Sequence, residues 1–328
     1  MTGTRKRLRW EPPTEDELAA LDSLGRAGAW SVGGLELRLT NLDKVLFPAS
    51  EGPDASAAVT KRDLVRYHAC VAPWMLPYLV NRPVNTHRYP DGVQRTGFWH
   101  KEMPDYAPGW LNQWHNDEAD DGETECYAVL DSVASLAWMA NWGALELHGW
   151  TSALPDVHQP TWALIDIDPG ERTSFAQILE LARLYRAALE HLHLDAMPKV
   201  TGQRGIQIWV PIAAGYSFTD TRQWVETVSR AVGQTLPDLV SWEWHKDRRR
   251  GLARLDYTQN AINKTLVAPF SARPAPGAPV SVPITWDELD DPDLRPDRWT
   301  VHTVLDRLRE VGDPLAPLIG KAQELPPL

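Results

Sequence analysis

One stretch constrains this chain more than any other: Thr161-Trp-Ala-Leu-Ile-Asp-Ile-Asp168, an apolar run that ends in two carboxylates and stops at Pro169-Gly170. A short apolar run bounded by Pro-Gly reads as a strand buried in a sheet. Side chains two apart on a strand share a face, so Asp166 and Asp168 project together. Two carboxylates about 4 Å apart repel by roughly 4 kcal/mol at an effective dielectric near 20. A fold tolerates that when a cation lies between them or when one of them holds a proton. The plainer alternative is a pair of strand-end carboxylates that only lead the chain into its turn.

Helix and strand patterns alternate around this strand. Thr173 or Ser174 caps an amphipathic helix to about Leu192, and Ile206–Ile212 is a second strand after the turn Thr201-Gly-Gln-Arg-Gly205. A helix follows near Thr221–Leu236, then a third strand, about Ala253–Tyr257, that carries Asp256. This order predicts α/β or α+β layering. Upstream, the spacing predicts a helix over Glu15–Leu24, a strand at Leu35–Leu39 and a helix capped by Thr60 and running to about Leu79. Strand-like patches fall at 85–89 and 98–101, with a Ser/Gly/Ala/Pro-rich loop at 49–60 and an acidic loop at 116–125. Apolar positions at helical spacing predict one helix over Ser132–His148. Four prolines between Arg273 and Pro283 predict an extended segment lying over the surface, followed by a helix near Thr303–Val311 and a Pro-rich tail. The expected organisation is an N-terminal arm (1–30), a core (31–310) with a subdomain boundary near 155–160, and a tail (311–328).

The two cysteines, Cys70 and Cys126, are too few to staple such a chain, so a reducing cytosol is expected. No uncharged apolar run approaches the roughly 20 residues that span a bilayer, so a soluble protein with no membrane partner is expected. Thirty-three basic against 44 acidic side chains leave a net charge of −11, which argues against coating nucleic acid by bulk electrostatics. A local basic groove remains open to Arg5–Arg9 and His245–Arg250, although either is equally a solvated charge run.

Asp256 sharpens the chemistry. A third carboxylate on a neighbouring strand would complete a two-metal site for in-line phosphoryl or nucleotidyl transfer. Hard oxygen ligands with no nearby His/Cys cluster point to Mg²⁺ or Mn²⁺. The turn Thr201–Gly205 offers N–H groups, a hydroxyl and a guanidinium to a triphosphate, with Lys264 and Arg273 as further phosphate ligands. Each of these is, taken singly, more often a turn or a surface charge.

Leu39-Thr-Asn-Leu-Asp-Lys-Val-Leu-Phe-Pro48, Leu145-Glu-Leu-His148, Ile165-Asp-Ile-Asp-Pro-Gly170, Asp256-Tyr-Thr-Gln-Asn260 and Val267-Ala-Pro-Phe-Ser271, in this order, resemble the polymerase domain of bacterial ligase D, a member of the archaeo-eukaryotic primase superfamily. The resemblance covers about residues 35–310. It implies two interlocked subdomains, one with an RNA-recognition-like antiparallel sheet carrying the metal site. It implies Asp166, Asp168 and Asp256 as metal ligands and His148 as a nucleotide contact. Thr201, Arg204, Gln259, Lys264 and Arg273 match nucleotide-site positions. Asn41, Lys44 and Lys61 match a pocket for the 5′-phosphate across a gap, and Phe98 with Trp99 matches an aromatic pair that stacks near the template and incoming base.

The chain departs from the family's Ser-Gly-x-Lys-Gly-Leu-His with Thr201-Gly-Gln-Arg-Gly-Ile-Gln207. Arg204 keeps the charge with another geometry, and Gln207 replaces a titratable side chain with one that only hydrogen-bonds. His87 stands where a basic residue is common. The expected function is a stand-alone, divalent-metal-dependent nucleotidyltransferase that extends a primer 3′-hydroxyl, and the resemblance implies a preference for ribonucleotides and for short gaps bearing a 5′-phosphate. Its expected substrate is short-gapped or broken duplex DNA bearing a 5′-phosphate, in the nucleoid-containing cytoplasm, beside a separate ligase or end-binding protein. Short-gap excision repair, end processing in non-homologous end joining, a metal-dependent nuclease and a non-catalytic gap- or end-binding module are the competing readings.

Overall fold

A computed structural model of the 328-residue chain describes residues 10–49, 56–120, 124, 126–264 and 266–328. The Arg5–Arg9 cluster and parts of the 49–60 and 116–125 loops lie outside the described residues. Two five-stranded sheets organise the rest. In the first, the strands run Phe98–His100, Pro83–Arg88, Cys126–Val129, Gln113–His115, and Ala144–Gly149 also pairs with Pro83–Arg88. The second runs Arg254–Asp256, Trp162–Asp168, Ile206–Pro211, Met197–Val200, Val282–Pro283, antiparallel at every pairing.

Alternation along the second sheet separates its faces. Ile165, Ile167, Ile206 and Ile208 are fully buried on the face covered by the helices Phe175–His191 and Phe218–Thr235. Those helices contribute Ile178, Leu181, Tyr185 and Val225, and each starts from a serine capping box, Ser174 with Gln177 and Ser217 with Asp220. The opposite face carries Asp166, Lys199, Gln207 and Trp209 and turns toward the first sheet. There the Tyr78 ring meets Trp209 edge-on at 6.2 Å.

The subdomains interlock because the chain recrosses. Residues 266–283 return to the first sheet, where the Ala268 N–H bonds the Leu147 carbonyl (2.9 Å) and the Tyr67 hydroxyl bonds that of Phe270 (2.6 Å). They end as the edge strand of the second sheet. This corrects the surface reading of 273–283. Ala278, Val280, Ser281 and Val282 are fully buried, and the last proline sits on an edge strand, where a missing N–H costs no ladder bond.

A second correction falls at Ser132–His148. The helix covers only Val133–Asn141, Gly143 takes a left-handed φ of 85°, and Ala144–Gly149 is a strand. At the N-terminus, the helix Glu15–Ser23 is fastened by Arg62, whose guanidinium donates to the carbonyls of Leu24 and Gly25, both at 2.8 Å. The tail is also pinned, as Gln323 donates to the Pro211 carbonyl and Trp224 to that of Pro326, both at 3.0 Å.

One buried histidine makes stability pH-dependent. His68 is fully buried and its Nδ1–H donates to the Leu136 carbonyl at 3.1 Å. Burial pulls its pKa down to about 4, against that hydrogen bond. Between about 6.5 and about 4 the unfolded chain binds a proton that the folded one refuses, so stability is complete above that window and falls as pH drops through it. The loss should reach about 2–3 kcal/mol at pH 4.5. Urea unfolding of wild type and His68→Leu at pH 7 and pH 4.5 reads it: the variant should lose less on acidification, and equal losses would refute the assignment.

Candidate active site

Register brings the three carboxylates together. Asp166 is opposite Asp256 on one side and Gln207 on the other, and Asp168 is opposite Arg254. Asp256 is heavily held. Its Oδ1 accepts from the Thr258 N–H (3.0 Å), the Thr258 hydroxyl (2.6 Å) and Arg254 (3.1 Å), and its Oδ2 accepts from Gln259 (3.2 Å). Asp168 Oδ2 meets the Arg249 guanidinium at 3.3 Å. Gln207 donates to Asp166 Oδ1 at 3.2 Å, and Gln207 Oε1 is buried without a partner.

Asn260 holds the strand itself. Its side chain accepts from the Leu164 N–H (2.9 Å) and donates to the Leu164 and Tyr257 carbonyls (2.8 and 3.0 Å). It thereby extends the ladder beyond the short strand Arg254–Asp256. Asn260→Ala should cost about 3 kcal/mol, because it leaves buried backbone groups unsatisfied. Chemical denaturation measures this, and a loss below about 1 kcal/mol would refute it.

The electrostatics are strained at Asp166. Burial first, then the charges of Asp168 and Asp256, push its pKa up to about 7, against Gln207 and Lys199. Lys199 is fully buried, donates to the Val267 carbonyl at 3.1 Å and to the Ser281 hydroxyl, and is driven well below the ordinary lysine value by burial. Both ring nitrogens of His148 are buried without partners, and burial lowers its pKa to about 3.

Asp166 and Asp168 open onto a cleft of about 580 Å³ lined also by Arg172, Thr201, Arg204 and Arg249. The turn at its wall needs glycine: Gly202 has φ 74°, and a Cβ there would lie 2.7 Å from Arg273 Cγ. Thr201 Oγ1 accepts from the Gly205 and Gln203 N–H groups (3.1 and 3.4 Å), which leaves only its own hydrogen for a phosphate oxygen. Arg273 reaches the cleft but is anchored, donating to the Thr201 carbonyl (3.0 Å) and Gln203 (2.7 Å). Its Nε also lies 2.6 Å from Glu146 Oε1, as a charge contact off the hydrogen-bond axis.

Asp256 flanks this cleft from the next strand, while His148, Gln259 and Lys264 do not line it. Phe98 and Trp99, being successive strand residues, project to opposite faces and form no common platform. A second cleft, also about 580 Å³, brings together Asn41, Lys44, Lys61 and Arg88 with Tyr106, Trp138 and Trp142. The Lys61 N–H bonds the Lys44 carbonyl at 2.8 Å, which fixes the two lysines side by side. Burial, then Lys44 and Arg88, bring the Lys61 pKa down to about 8.

Sequence reasoning missed Glu146, Lys199 and Arg88. Glu146 stands two before His148 on one strand face, a period-2 signal that reading a helix there concealed. Burial raises its pKa, but the His87 hydrogen bond and the charge of Arg273 outweigh that and hold it below the usual carboxylate value.

The donor set suits a hard divalent cation: three carboxylates from two adjacent strands, with no sulfur or imidazole among them. Among the described residues no three His, Cys, Asp or Glu side chains converge as a finished metal shell. Asp168 leans on Arg249, and Asp256 on Thr258 and Gln259. The repulsion at Asp166 is what a cation would relieve, so the residues fit one. Among the described residues no helix is long and apolar enough to cross a membrane.

The family model for the LigD primase-polymerase domain matches residues 60–315. The multifunctional non-homologous end joining protein LigD of Mycolicibacterium smegmatis is 36% identical over 288 residues, covering 87% of this chain and 36% of that protein. The bifunctional LigD of Bacillus subtilis is 30% identical, covering 89% of this chain and 45% of that protein. The chain thus spans less than half the length of these relatives. A solved polymerase domain from Mycobacterium tuberculosis ligase D in complex with DNA superposes with a TM-score of 0.78 at 34% identity, covering 88% of this chain and 99% of that one.

Proposed function

The chain belongs to the LigD primase-polymerase domain family, and on that ground we propose that it is a nucleotidyltransferase extending a primer 3′-hydroxyl across short gaps in DNA. The observation that carries this is the set Asp166, Asp168 and Asp256 on adjacent antiparallel strands, beside a cleft lined by Arg172, Arg204 and Arg249. Asp166, Asp168 and Asp256 would hold Mn²⁺ or Mg²⁺, whose chemistry there is to acidify the attacking hydroxyl and offset charge on the pyrophosphate. The chain's own groups do the rest. The cleft arginines draw in and orient the triphosphate. The Thr258, Gln259 and Arg254 bonds hold Asp256 in one orientation, and Gln207 does the same for Asp166. The second cleft, with Asn41, Lys44 and Lys61, grips the 5′-phosphate on the downstream side of the gap.

Ribonucleotides are the proposed preference, and a DNA ligase activity the proposed successor. The name of the M. smegmatis relative favours end processing in non-homologous end joining as a second setting for the same chemistry. A nuclease would not need a triphosphate-binding set such as Thr201, Arg204 and Arg273. Primer extension on one-to-three-nucleotide gaps with a 5′-phosphate tests the reading, using Mn²⁺ and each ribo- and deoxyribonucleotide, beside Asp166→Ala/Asp168→Ala. Extension that is lost in the double variant supports it. Tight gap binding without extension would replace it with a non-catalytic gap-binding module.

A further inference from the structure

His87 takes no part in the chemistry above, yet it is one of the most tightly framed side chains near the site. The strand Pro83–Arg88 sets it opposite Trp99 on one neighbour and Glu146 on the other, all on one face. Its ring lies parallel to the Trp99 indole, with centroids 4.7 Å apart and planes within 3°. Its Nδ1–H donates to Glu146 Oε2 at 2.6 Å, and Glu146 is only 3% exposed. Tyr89 closes against the imidazole edge-on at 4.7 Å. Trp99, by contrast, is 54% exposed.

An exposed indole on a three-residue strand has rotamer freedom to lose, and the flat His87 ring stacked behind it, itself held by a buried carboxylate, removes that freedom before any ligand arrives, together with the His148 ring packed against it edge-on at 4.8 Å. We infer that His87 is a positioning residue for nucleobase stacking: it fixes the plane of Trp99, whose open face takes an unpaired base. Glu146 extends the device. Its second oxygen contacts Arg273, which is bonded to the Thr201 carbonyl and to Gln203. One carboxylate therefore ties the stacking platform to the turn beside the carboxylate cleft. The inference rests on the polymerase reading. The base comes from the template strand or from the incoming nucleotide, since both present the same π face.

Equilibrium binding tests it in two arms, for wild type, His87→Ala and His87→Phe. The first compares a gapped duplex carrying a templating base with the same duplex abasic at that position. The second compares a non-hydrolysable nucleoside triphosphate with inorganic triphosphate on the abasic duplex. Wild type should prefer the base-containing partner in at least one arm, His87→Ala should shrink that preference at least about fivefold, and the flat ring of His87→Phe should restore it to within about twofold. Loss in the first arm assigns the templating base, and loss in the second alone assigns the incoming one. An unchanged preference in His87→Ala, or equal losses in both variants, overturns the inference. Failure of wild type to bind the gapped duplex at all would instead overturn the functional reading.

Discussion

Single-turnover extension by Asp256→Ala should fall at least about a thousandfold, roughly 4 kcal/mol of barrier, while affinity for the gapped duplex changes less than about twofold. The asymmetry follows from how this carboxylate is built in. Four donor contacts from Thr258, Gln259 and Arg254 hold it before substrate arrives, so its charge needs no reorganisation during the reaction. Its nearest strand partner is Asp166, not a DNA-facing cation. Asp256→Asn keeps the shape and removes the charge, so it should be nearly as impaired. If Asp256→Asn stayed within tenfold of wild type, the carboxylate's charge would not be what the reaction uses.

The Asp166–Asp168 pair was legible because spacing by two on a strand fixes a common face whatever the rest of the fold does. Its partners were less legible. Asp256 is 90 residues from Asp166 and Arg249 is 81 from Asp168, and only antiparallel pairing brings them together. Two local misreadings had physical causes. Gly143 ends the helix after Asn141, but the apolar spacing continues through Ala144, Leu145 and Leu147 because the following strand is buried on both faces. The prolines of 273–283 suggested a solvated segment, yet this stretch is an edge strand and its approach, where proline is tolerated and valine is buried. The same period-2 rule separates the proposed stacking platform from the cationic cleft. His87 and Arg88, adjacent on one strand, face opposite ways: His87 to Trp99 and Glu146, Arg88 to the Trp142 ring at 3.8 Å. A single strand thus carries the stacking platform on one side and the cationic cleft on the other.

That cleft yields the second large effect. Lys61, Lys44 and Arg88 gather in it, and burial first, then the charges of Lys44 and Arg88, make a charge on Lys61 costly at 8% exposure. A terminal phosphate, close to dianionic at neutral pH, would reverse that cost. Lys61→Ala should therefore weaken binding to a 5′-phosphorylated gap about 10- to 100-fold, as expected for losing a charge-assisted bond at a mostly desolvated site, and leave a 5′-hydroxyl gap nearly unaffected. Lys44→Ala should show the same preference at smaller size, since Lys44 is more exposed and already paired with Asp91 at 2.9 Å. The pH dependence has a definite sign. With a free-state pKa of about 8, Lys61 must take up a proton to bind phosphate as pH rises through that value. The preference for the 5′-phosphate should then decline above pH 8 in wild type and stay flat in Lys61→Ala. Anisotropy titrations of the paired gaps at pH 7 and pH 9 read both effects, and equal losses on phosphorylated and unphosphorylated ends would remove Lys61 from the phosphate grip.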